Sequence, residues 1–389
     1  MRQDDITIVI CDAELAPRYV VADWQSLDAT VTRNAPGPGS VRCAVTRELM
    51  AALEPGAHVA LYLGDSPVAW HAGPLERLGP HERSISDDTA GRGLITISWV
   101  THEVWLGRRL AYPDPTAPAT QQTSEARWER TGPAEGLIKE LVGANLGPGA
   151  LPVRRVPRLQ IEPLHSPPLG ATVSIGTRFQ AVSDVARDIA VAGGELTWYI
   201  EHLGRDLVFR VRAPRDLSNR VRFSLDLGNL ISYRAEPQAP TCTAAIVAGQ
   251  GEGTARTIIE RAVAASPWGR IESFVDRRDT DDMAELRAAG DSALAEGAER
   301  TDLAAEAIDL PDPRLPRYGR DYDIGDLVTV ELDEGVELAD MVTGARLQAP
   351  GDGTYDLSVI IGARDAVSDD VTVAIRSLRQ RIAKLEGSQ

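Results

Sequence analysis

Four stretches in the second half of the chain decide its fold: GNLISYRAE (228–236), AAIVAGQGEGTARTIIER (244–261), WGRIESFVDRRDTDD (268–282) and RYGRDYDIGDLVTVEL (317–332). Each combines a short run of β-branched and aromatic residues with glycine-containing or acidic turns, which is typical of strands in a β domain. The acidic run at 279–282 predicts the start of a helix, because short acidic side chains accept hydrogen bonds from free N–H groups there. The sequence therefore predicts a β-rich segment with one helix laid between its strands.

The residues before position 120 contain further β-type runs, separated by turns rich in Gly, Pro, Asn and Asp: 6–12, 19–33, 40–46, 57–63, 67–76 and 93–101. Short strands at this spacing are typical of a barrel or a sandwich. The segment TRELMAALEPG (46–56) fits a short helix or turn that leads into the next strand. A first β domain is expected here.

The hydrophobic period changes after a polar, proline-containing stretch near residue 120. Helical spacing appears at 133–146 and 177–192, and two strand-like runs at 194–202 and 205–213 are joined by a predicted tight hairpin turn. Helices beside a small sheet indicate an α+β module. The predicted domains are a first β domain, an α+β insert, a second β domain and a C-terminal helix, at 1–120, 121–217, 218–365 and 366–389.

The terminal helix carries an apolar stripe whose members recur in steps of four and three: Val371, Ile375, Leu378, Ile382 and Leu385. The isoleucines fall at a positions and the others at d, with Arg381 at g and Glu386 at the following e, the geometry of an interchain ion pair. We predict that these residues form an oligomer interface. Two heptads are too short to hold an assembly alone, and Ile at a with Leu at d favours two strands. The alternative is a helix folded back on its own domain.

Composition and length indicate a soluble globular protein of several domains. Charged residues make up 25% and apolar residues 43% of the 389 positions. No run approaches the roughly 18 apolar residues of a membrane span. The acidic N-terminus MRQDDITIV lacks the pattern of a signal peptide, so we expect synthesis in the cytoplasm. Cys11, Cys43 and Cys242 are widely spaced within apolar runs and are expected to be buried thiols.

The formal net charge of −16 argues against nucleic-acid binding, because a protein that grips DNA needs Lys and Arg to displace counterions from phosphates. The excess is concentrated between residues 276 and 340, where 20 Asp and Glu stand against 7 Arg. One interpretation of this segment is solubility. The other is a face that lines a channel for DNA or an extended protein, where like-charge repulsion keeps a polyanion moving.

No motif identifies a catalytic, cofactor or metal site, and we predict none. GQGEG (249–253) follows an apolar strand, but Thr254 stands where a dinucleotide fingerprint needs its third glycine, so we expect a glycine-rich bend in a strand. The six histidines lie in different predicted elements, and no H-E-x-x-H or G-x-S-x-G occurs. Carboxylate pairs such as Glu331 and Asp333 are typical of solvated faces, although residue type alone leaves glycoside hydrolysis open.

The four stretches at 228–332, in this order and spacing, resemble the second tube-like β domain of the tail hub proteins of long-tailed phages from high-GC (actinobacterial) hosts. These proteins are also called tail-associated or baseplate hub proteins. A weaker resemblance covers 24–47 and 94–115, where SWVTHEVWLGRRLAYPDP looks like the close of the family's first domain. The resemblance implies a mainly β fold, with two tube-like β-barrel domains flanking a small α+β domain and a C-terminal helix.

The resemblance also implies a structural role without catalysis, similar to that of the hub of contractile tails. Three copies are expected to form a pseudo-sixfold ring at the tail tip or baseplate of a virion. The expected partners are two further copies, a distal tail protein or tail tube ring, and other tail-tip or receptor-binding proteins. DNA or the tape measure protein is expected to pass through the channel without specific binding.

Two other functions remain open on the sequence alone. One is the hub of a phage-like injection system with the same fold. The other is a carbohydrate-active or peptidase enzyme of the tail tip that uses its acidic residues. A deep pocket with converging, perturbed carboxylates would favour the enzyme, and a flat subunit with large apolar edges would favour the ring.

Overall fold

The computed structural model describes residues 5–79, 93–278, 280–351 and 353–362. The chain divides into two compact units. Unit 1 comprises Met1–Ser232 with Ala305–Gln389, and unit 2 comprises Tyr233–Ala304. Strands predominate, and the helices are few, which confirms the predicted mainly β fold class.

The N-terminal segment contains these elements: β1 (Ile6–Cys11), β2 (Pro17–Val20), β3 (Trp24–Thr32), β4 (Pro38–Ala44), α1 (Arg47–Ala52), β5 (His58–Leu63), β6 (His71–Leu78), β7 (Leu94–Val100) and α2 (Val104–Gly107). They follow the predicted runs, except that the run 19–33 is divided between β2 and β3. Helix α1 occupies the segment predicted as a helix or turn. Its N-cap, Thr46, accepts a hydrogen bond at Oγ1 from the backbone N–H of Leu49 at 3.0 Å.

The insert contains these elements: β8 (Trp128–Pro133), α3 (Ala134–Asn145), β9 (Leu159–Ile161), β10 (Thr172–Thr177), α4 (Val182–Ala192), β11 (Thr197–Leu203) and β12 (Asp206–Arg212). Both predicted helices and the hairpin are present. Helix α4 begins later than predicted, because Thr177 ends strand β10 and the residues that follow pair with Leu110 and Ala111 instead of continuing a helix. Phe179, which falls within the predicted helical range 177–192, instead precedes the helix with a φ of 57°.

The remaining elements are β13 (Arg222–Ser224), β14 (Leu230–Gln238), β15 (Ala244–Ala248), β16 (Ile258–Ala262), β17 (Glu272–Asp276), α5 (Met283–Glu296), β18 (Arg300–Ile308), β19 (Leu327–Glu331), β20 (Glu337–Ala349) and β21 (Asp356–Gly362). The predicted helix start is confirmed: Asp282 accepts from the N–H of Ala284 at 2.6 Å. The prediction of a bend within a strand at 249–253 was wrong. Gly251 and Gly253 have φ values of 114° and 55°, which end β15 and turn the chain into β16.

Strands from both ends of the chain share one 13-stranded sheet, in the order β14-β18-β21-β20-β3-β4-β7-β6-β5-β1-β2, with β19 paired to β20 and β13 to β19. Strand β3 is the junction. It pairs antiparallel with β4 on one side and with β20 on the other, where Val31 lies opposite Ala345. The two segments predicted as β domains are thus hydrogen-bonded to each other within this sheet. Their closure into two barrels stays a prediction.

Unit 1 has two apolar cores. The first packs the N-terminal strands against β20 and β21, with Trp99 and Leu347 among its members. Gly39 is required there, because a Cβ at this position would lie 2.4 Å from the Trp99 ring. The second core lies in the insert, where α3 and α4 pack on the β11–β12 hairpin through residues such as Ile138 and Trp198.

Polar contacts join the insert to the turn between β3 and β4. Asn34 Nδ2 donates to the carbonyl oxygen of Leu196 at 2.9 Å, and Asn34 Oδ1 accepts from the N–H of Trp198 at 2.7 Å. The neighbouring Arg33 donates to the carboxylate and the carbonyl oxygen of Glu195, at 2.9 and 2.7 Å. Asn34 has a φ of 51°, in the left-handed region that Asn tolerates better than most residues. The turn therefore fixes where strand β11 begins.

Replacing Gly325 by alanine is expected to loosen the contact between the insert and the segment before β19. Gly325 has a φ of 91°, and an added Cβ would lie 2.1 Å from Thr197 Oγ1. Left-handed strain and overpacking together predict a loss of about 2–5 kcal/mol in the free energy of unfolding. The matched control is Gly335→Ala, where φ is 75° and no atom lies within 4 Å, so only about 1–2 kcal/mol is lost. Urea denaturation measures both, and equal losses would contradict the contact.

Candidate functional site

The predicted oligomer interface, Val371, Ile375, Leu378, Arg381, Ile382, Leu385 and Glu386, lies outside the described residues and stays a prediction. Within the described residues, the fold creates three local arrangements from segments that are far apart in sequence. They are a chain of histidines, a buried carboxylate–lysine cluster, and a small sheet in unit 2 with exposed edges.

The histidine chain joins the N-terminal strands to the insert. Trp105 Nε1 donates to His102 Nδ1 at 3.4 Å, so the proton of neutral His102 is on Nε2. That Nε2 is 3.3 Å from His202 Nδ1, and His202 Nε2 is 3.0 Å from the carbonyl oxygen of Gly204. Donation from Trp105 to His102, then to His202, then to Gly204 satisfies all three contacts. An additional proton on either histidine would set two donors against each other.

Burial holds these imidazoles in the neutral form. It lowers the pKa of His102 well below its ordinary value, with a further contribution from neighbouring His202, and it also lowers the pKa values of His58 and His202. The His58 ring stacks on His102 with 5.4 Å between centroids. His71, which accepts from Trp99 Nε1 at 2.8 Å, has its pKa lowered by burial to about 4. These neutral, hydrogen-bonded side chains stabilise the contact between the N-terminal strands and the insert.

The second arrangement anchors the proline-rich segment of the insert to α3. The fully buried Glu135 carboxylate accepts from Lys139 Nζ at 2.6 Å, from the N–H of Leu169 at 2.7 Å and from His165 Nδ1 at 2.8 Å. Burial favours a higher pKa, but these hydrogen bonds outweigh it and hold the pKa of Glu135 at about 2. Lys139 Nζ also donates to the carbonyl oxygen of Pro163 at 2.8 Å. With its oxygens occupied by protein donors, Glu135 is a structural residue.

Ion pairs within the chain hold several carboxylates of the acidic segment 276–340. Asp326 is buried and pairs with Arg212 and Arg215. Buried Asp309 pairs with Arg317 at 3.0 Å. Closer to the surface, the pairs are Asp312 with Arg314, Asp321 with Arg320 and Asp291 with Arg261. Part of the formal acidity therefore stabilises the fold. The role of the exposed remainder in lining a channel stays a prediction.

In the described part of the chain, no group of three or more His, Cys, Asp or Glu side chains is arranged to hold a metal ion. The predicted buried thiols are confirmed: Cys11, Cys43 and Cys242 are free and buried. Burial raises the pKa of Cys11 and Cys43 to about 11, so these thiols are protonated at neutral pH. Among the helices described, none is long and apolar enough to cross a membrane.

The third arrangement is the sheet of unit 2, in which β15 lies between β16 and β17. Helix α5 covers one face: a Cβ on Gly290 would lie 2.5 Å from Arg261 Cγ and 3.0 Å from Val247 Cγ2. Arg261 and Val247 therefore lie on the face that α5 covers. Because side chains alternate along a strand, the even-numbered residues of these strands lie on the opposite face. There Phe274 of β17 is 62% exposed and Ile258 of β16 is 61% exposed. An open groove of about 610 Å³ separates β17 from α5.

Solved structures of phage tail proteins share this fold. The chain is similar to the tail protein from Neisseria meningitidis MC58, with a TM-score of 0.55 and 13% identity over 94% of this chain and 97% of that one. The 43 kDa tail protein of prophage MuSo2 from Shewanella oneidensis gives 0.54 and 13% over 91% and 97%. Prophage tail protein gp18 from Listeria monocytogenes EGD-e gives 0.51 and 10% over 96% and 99%. At these identities the likeness shows the fold of a phage tail protein.

Residues 7–363 match the family described as Siphovirus ReqiPepy6 Gp37-like protein, and the chain belongs to this family. No curated protein sequence matches it significantly. The expected role as a structural component of the phage tail is thereby confirmed. The hub position, the trimer and the high-GC host stay predictions.

Acidification from pH 7.5 to 5.5 is expected to lower the free energy of unfolding. Burial lowers the native pKa values of His58, His102 and His202 below the unfolded value of 6.5, so the unfolded state binds protons that the native state does not. Stability that is present above pH 6.5 is therefore lost as the pH falls below it, by at most about 1.4 kcal/mol per histidine at pH 5.5. Urea titrations across this range measure the loss. Burial raises the native pKa values of Glu103, Glu306 and Asp309, and these carboxyl groups oppose the histidines by favouring the native state as the pH falls.

The variant His202→Gln is the matched comparison, because it removes one titrating group from the chain of histidines. It should lower stability at pH 7.5 and make the dependence on pH shallower by about one histidine's share, on the order of 1 kcal/mol. The same dependence on pH in the wild-type chain and in the variant would show that His202 does not take up a proton on unfolding.

Proposed function

We propose that the protein is the hub of a phage tail tip, and that three copies form a pseudo-sixfold ring around a channel. The observation that carries this proposal is the 13-stranded sheet, in which β3 pairs with β20, in a chain whose family and fold are those of tail proteins. In this sheet, strands from both ends of the chain are hydrogen-bonded to each other. Such a sheet suits a ring that transmits force between tube and tip.

The pseudo-sixfold arrangement follows from the resemblance to hub proteins with two tube-like domains per copy. Three such copies present six β modules to a sixfold tail tube or distal tail ring, and keep threefold symmetry towards the tip. Shape and symmetry matching are then the mechanism. The terminal stripe from Val371 to Leu385 is proposed to add contacts between copies.

Charge supports passage through the ring without binding. A net charge of −16 offers DNA few sites for counterion displacement, so DNA or the tape measure protein would move through the channel by repulsion from its wall. The proposed lasting partners are the distal tail protein or tube ring and other tail-tip or receptor-binding proteins. A hub of a phage-like injection system would have the same geometry, and the neighbouring genes distinguish the two.

We also propose that the protein acts without catalysis. The histidine chain and the Glu135 cluster contain groups with strongly shifted pKa values, and both are hydrogen-bonded to protein partners within unit 1. Perturbed pKa values in these places are explained by structural stabilisation.

Light scattering on the purified full chain is expected to give about 126 kDa, three times the 41.9 kDa of one chain. Electron microscopy should show rings with a central opening, and labelling should place them at the tail tip of the virion. Dilution provides the control, because a specific trimer dissociates as a function of concentration while an aggregate does not. A stable monomer at all concentrations, or a label along the tail shaft, would refute the hub.

A further inference from the structure

Unit 2 presents a strand edge at β17. In the described part of the chain β17 pairs in parallel with β15 and with no other strand. The N–H of Arg277 donates to the carbonyl oxygen of Ala248 at 2.8 Å, so the odd-numbered residues of β17 direct their backbone groups towards β15. Backbone groups alternate in direction along a strand. Those of Glu272, Phe274 and Asp276 therefore point away from the sheet.

A second edge of the same kind lies on the other side of β15. Strand β16 pairs antiparallel with β15, and the N–H of Gly249 donates to the carbonyl oxygen of Thr257 at 2.8 Å. By the same alternation, the backbone groups of Ile258, Glu260 and Ala262 point away from the sheet. Each edge thus offers three residues with outward N–H and C=O groups.

The two edges also match in their apolar side chains. Phe274 and Ile258 both lie on the face opposite α5, both belong to outward-directed residues, and both are more than half exposed. A flat strand edge with exposed apolar side chains is a template for pairing with another strand. Because the edges lie on opposite sides of β15, one copy cannot pair them with each other.

We propose that β17 of one copy pairs antiparallel with β16 of a second copy, head to tail, so that the sheet of unit 2 continues from copy to copy. This inference rests on the proposed ring and names the strands that join its members. Within a copy β17 is parallel to β15 and β16 is antiparallel, so an antiparallel junction keeps all copies in the same orientation. Head-to-tail contacts of this kind close into rings when the rotation permits.

Charge favours this arrangement over a twofold pairing of β17 with itself. A twofold contact that brings the two Phe274 side chains together sets Glu272 opposite Asp276 at both ends, and like charges opposite each other are destabilising. In the head-to-tail register, Phe274 lies opposite Ile258 of the second copy. Asp276 lies opposite Arg256 of the second copy, which within each copy already pairs with that copy's own Asp276.

That register also places Glu272 opposite Glu260 of the second copy. This like-charge contact is offset by Arg270, which donates to the two oxygens of Glu260 at 3.0 and 2.8 Å and to Glu272 at 2.6 Å within each copy. The Arg270 guanidinium of each copy therefore lies next to the two carboxylates that would face each other.

Cysteine cross-linking tests the pairing in the full chain. Residues opposite each other in an antiparallel pair have Cα atoms about 5.5 Å apart, within the range that a disulfide spans. The double variant Phe274→Cys with Ile258→Cys should form disulfide-linked trimers under mild oxidation. Its yield should exceed that of the control Phe274→Cys with Val153→Cys by at least about tenfold, because an interface holds thiols near millimolar effective concentration. Val153 is a fully surface-located valine, 87% exposed, outside unit 2.

The single variants separate the alternatives. Cross-linked dimers of Phe274→Cys alone, or of Ile258→Cys alone, would overturn the head-to-tail pairing in favour of a twofold contact. If the wild-type chain forms rings but the double variant cross-links no better than the control, the interface lies elsewhere and the ring stands. If the wild-type chain is monomeric at all concentrations, the ring and this inference both fail.

A charge exchange provides a second measurement that does not depend on oxidation. Phe274→Asp and Ile258→Lys should each weaken the trimer, and the double variant should regain part of the lost association through a cross-strand ion pair. Both positions are more than half exposed in the single copy, so each change should alter its free energy of unfolding by no more than about 1 kcal/mol. Unchanged association in both single variants would overturn the inference.

Discussion

The pairing of β3 with β20 is the constraint on which the rest of the structure depends. It joins residues more than 300 positions apart, and the ion pair between Asp28 and Arg346, separated by 318 positions, lies along it. Closing so long a loop costs little more entropy than closing one of half its length, since the cost grows only with the logarithm of loop length. Once formed, this pairing brings Leu347 into the same core as Trp99. Strands from both ends of the chain thereby share one sheet and one apolar core.

Buried polar contacts hold the insert to this sheet. Asn34 fixes the start of β11, Gly325 allows close approach to Thr197, and His102 and His202 share a hydrogen-bonded chain. Buried polar groups contribute to a defined geometry only when their partners are complete. In this junction the histidines meet that condition in the neutral form. The histidines therefore stabilise this contact most in the neutral form, which they adopt at and above neutral pH.

The groups with the most strongly shifted pKa values, such as His102 and Glu135, are shifted by burial and by internal partners. In unit 2, the strand edges of β16 and β17 instead expose backbone N–H and C=O groups and two apolar side chains, Phe274 and Ile258. We propose that this surface pairs with a strand of a second copy.

The sequence by itself determined most of the strands outside β8, β9 and β10 of the insert, most helix starts and the fold class. These features depend on local patterns: Thr46 and Asp282 are caps within a few residues of what they cap. Three further features were decided only by the tertiary structure. They are the single sheet shared by both ends, the late start of α4, and the meeting of His102 with His202 across 100 residues. Each depends on contacts between distant segments, and a single sequence carries no periodic signal for such contacts. The edges of unit 2 belong to the same class, because exposure is a property of the folded chain.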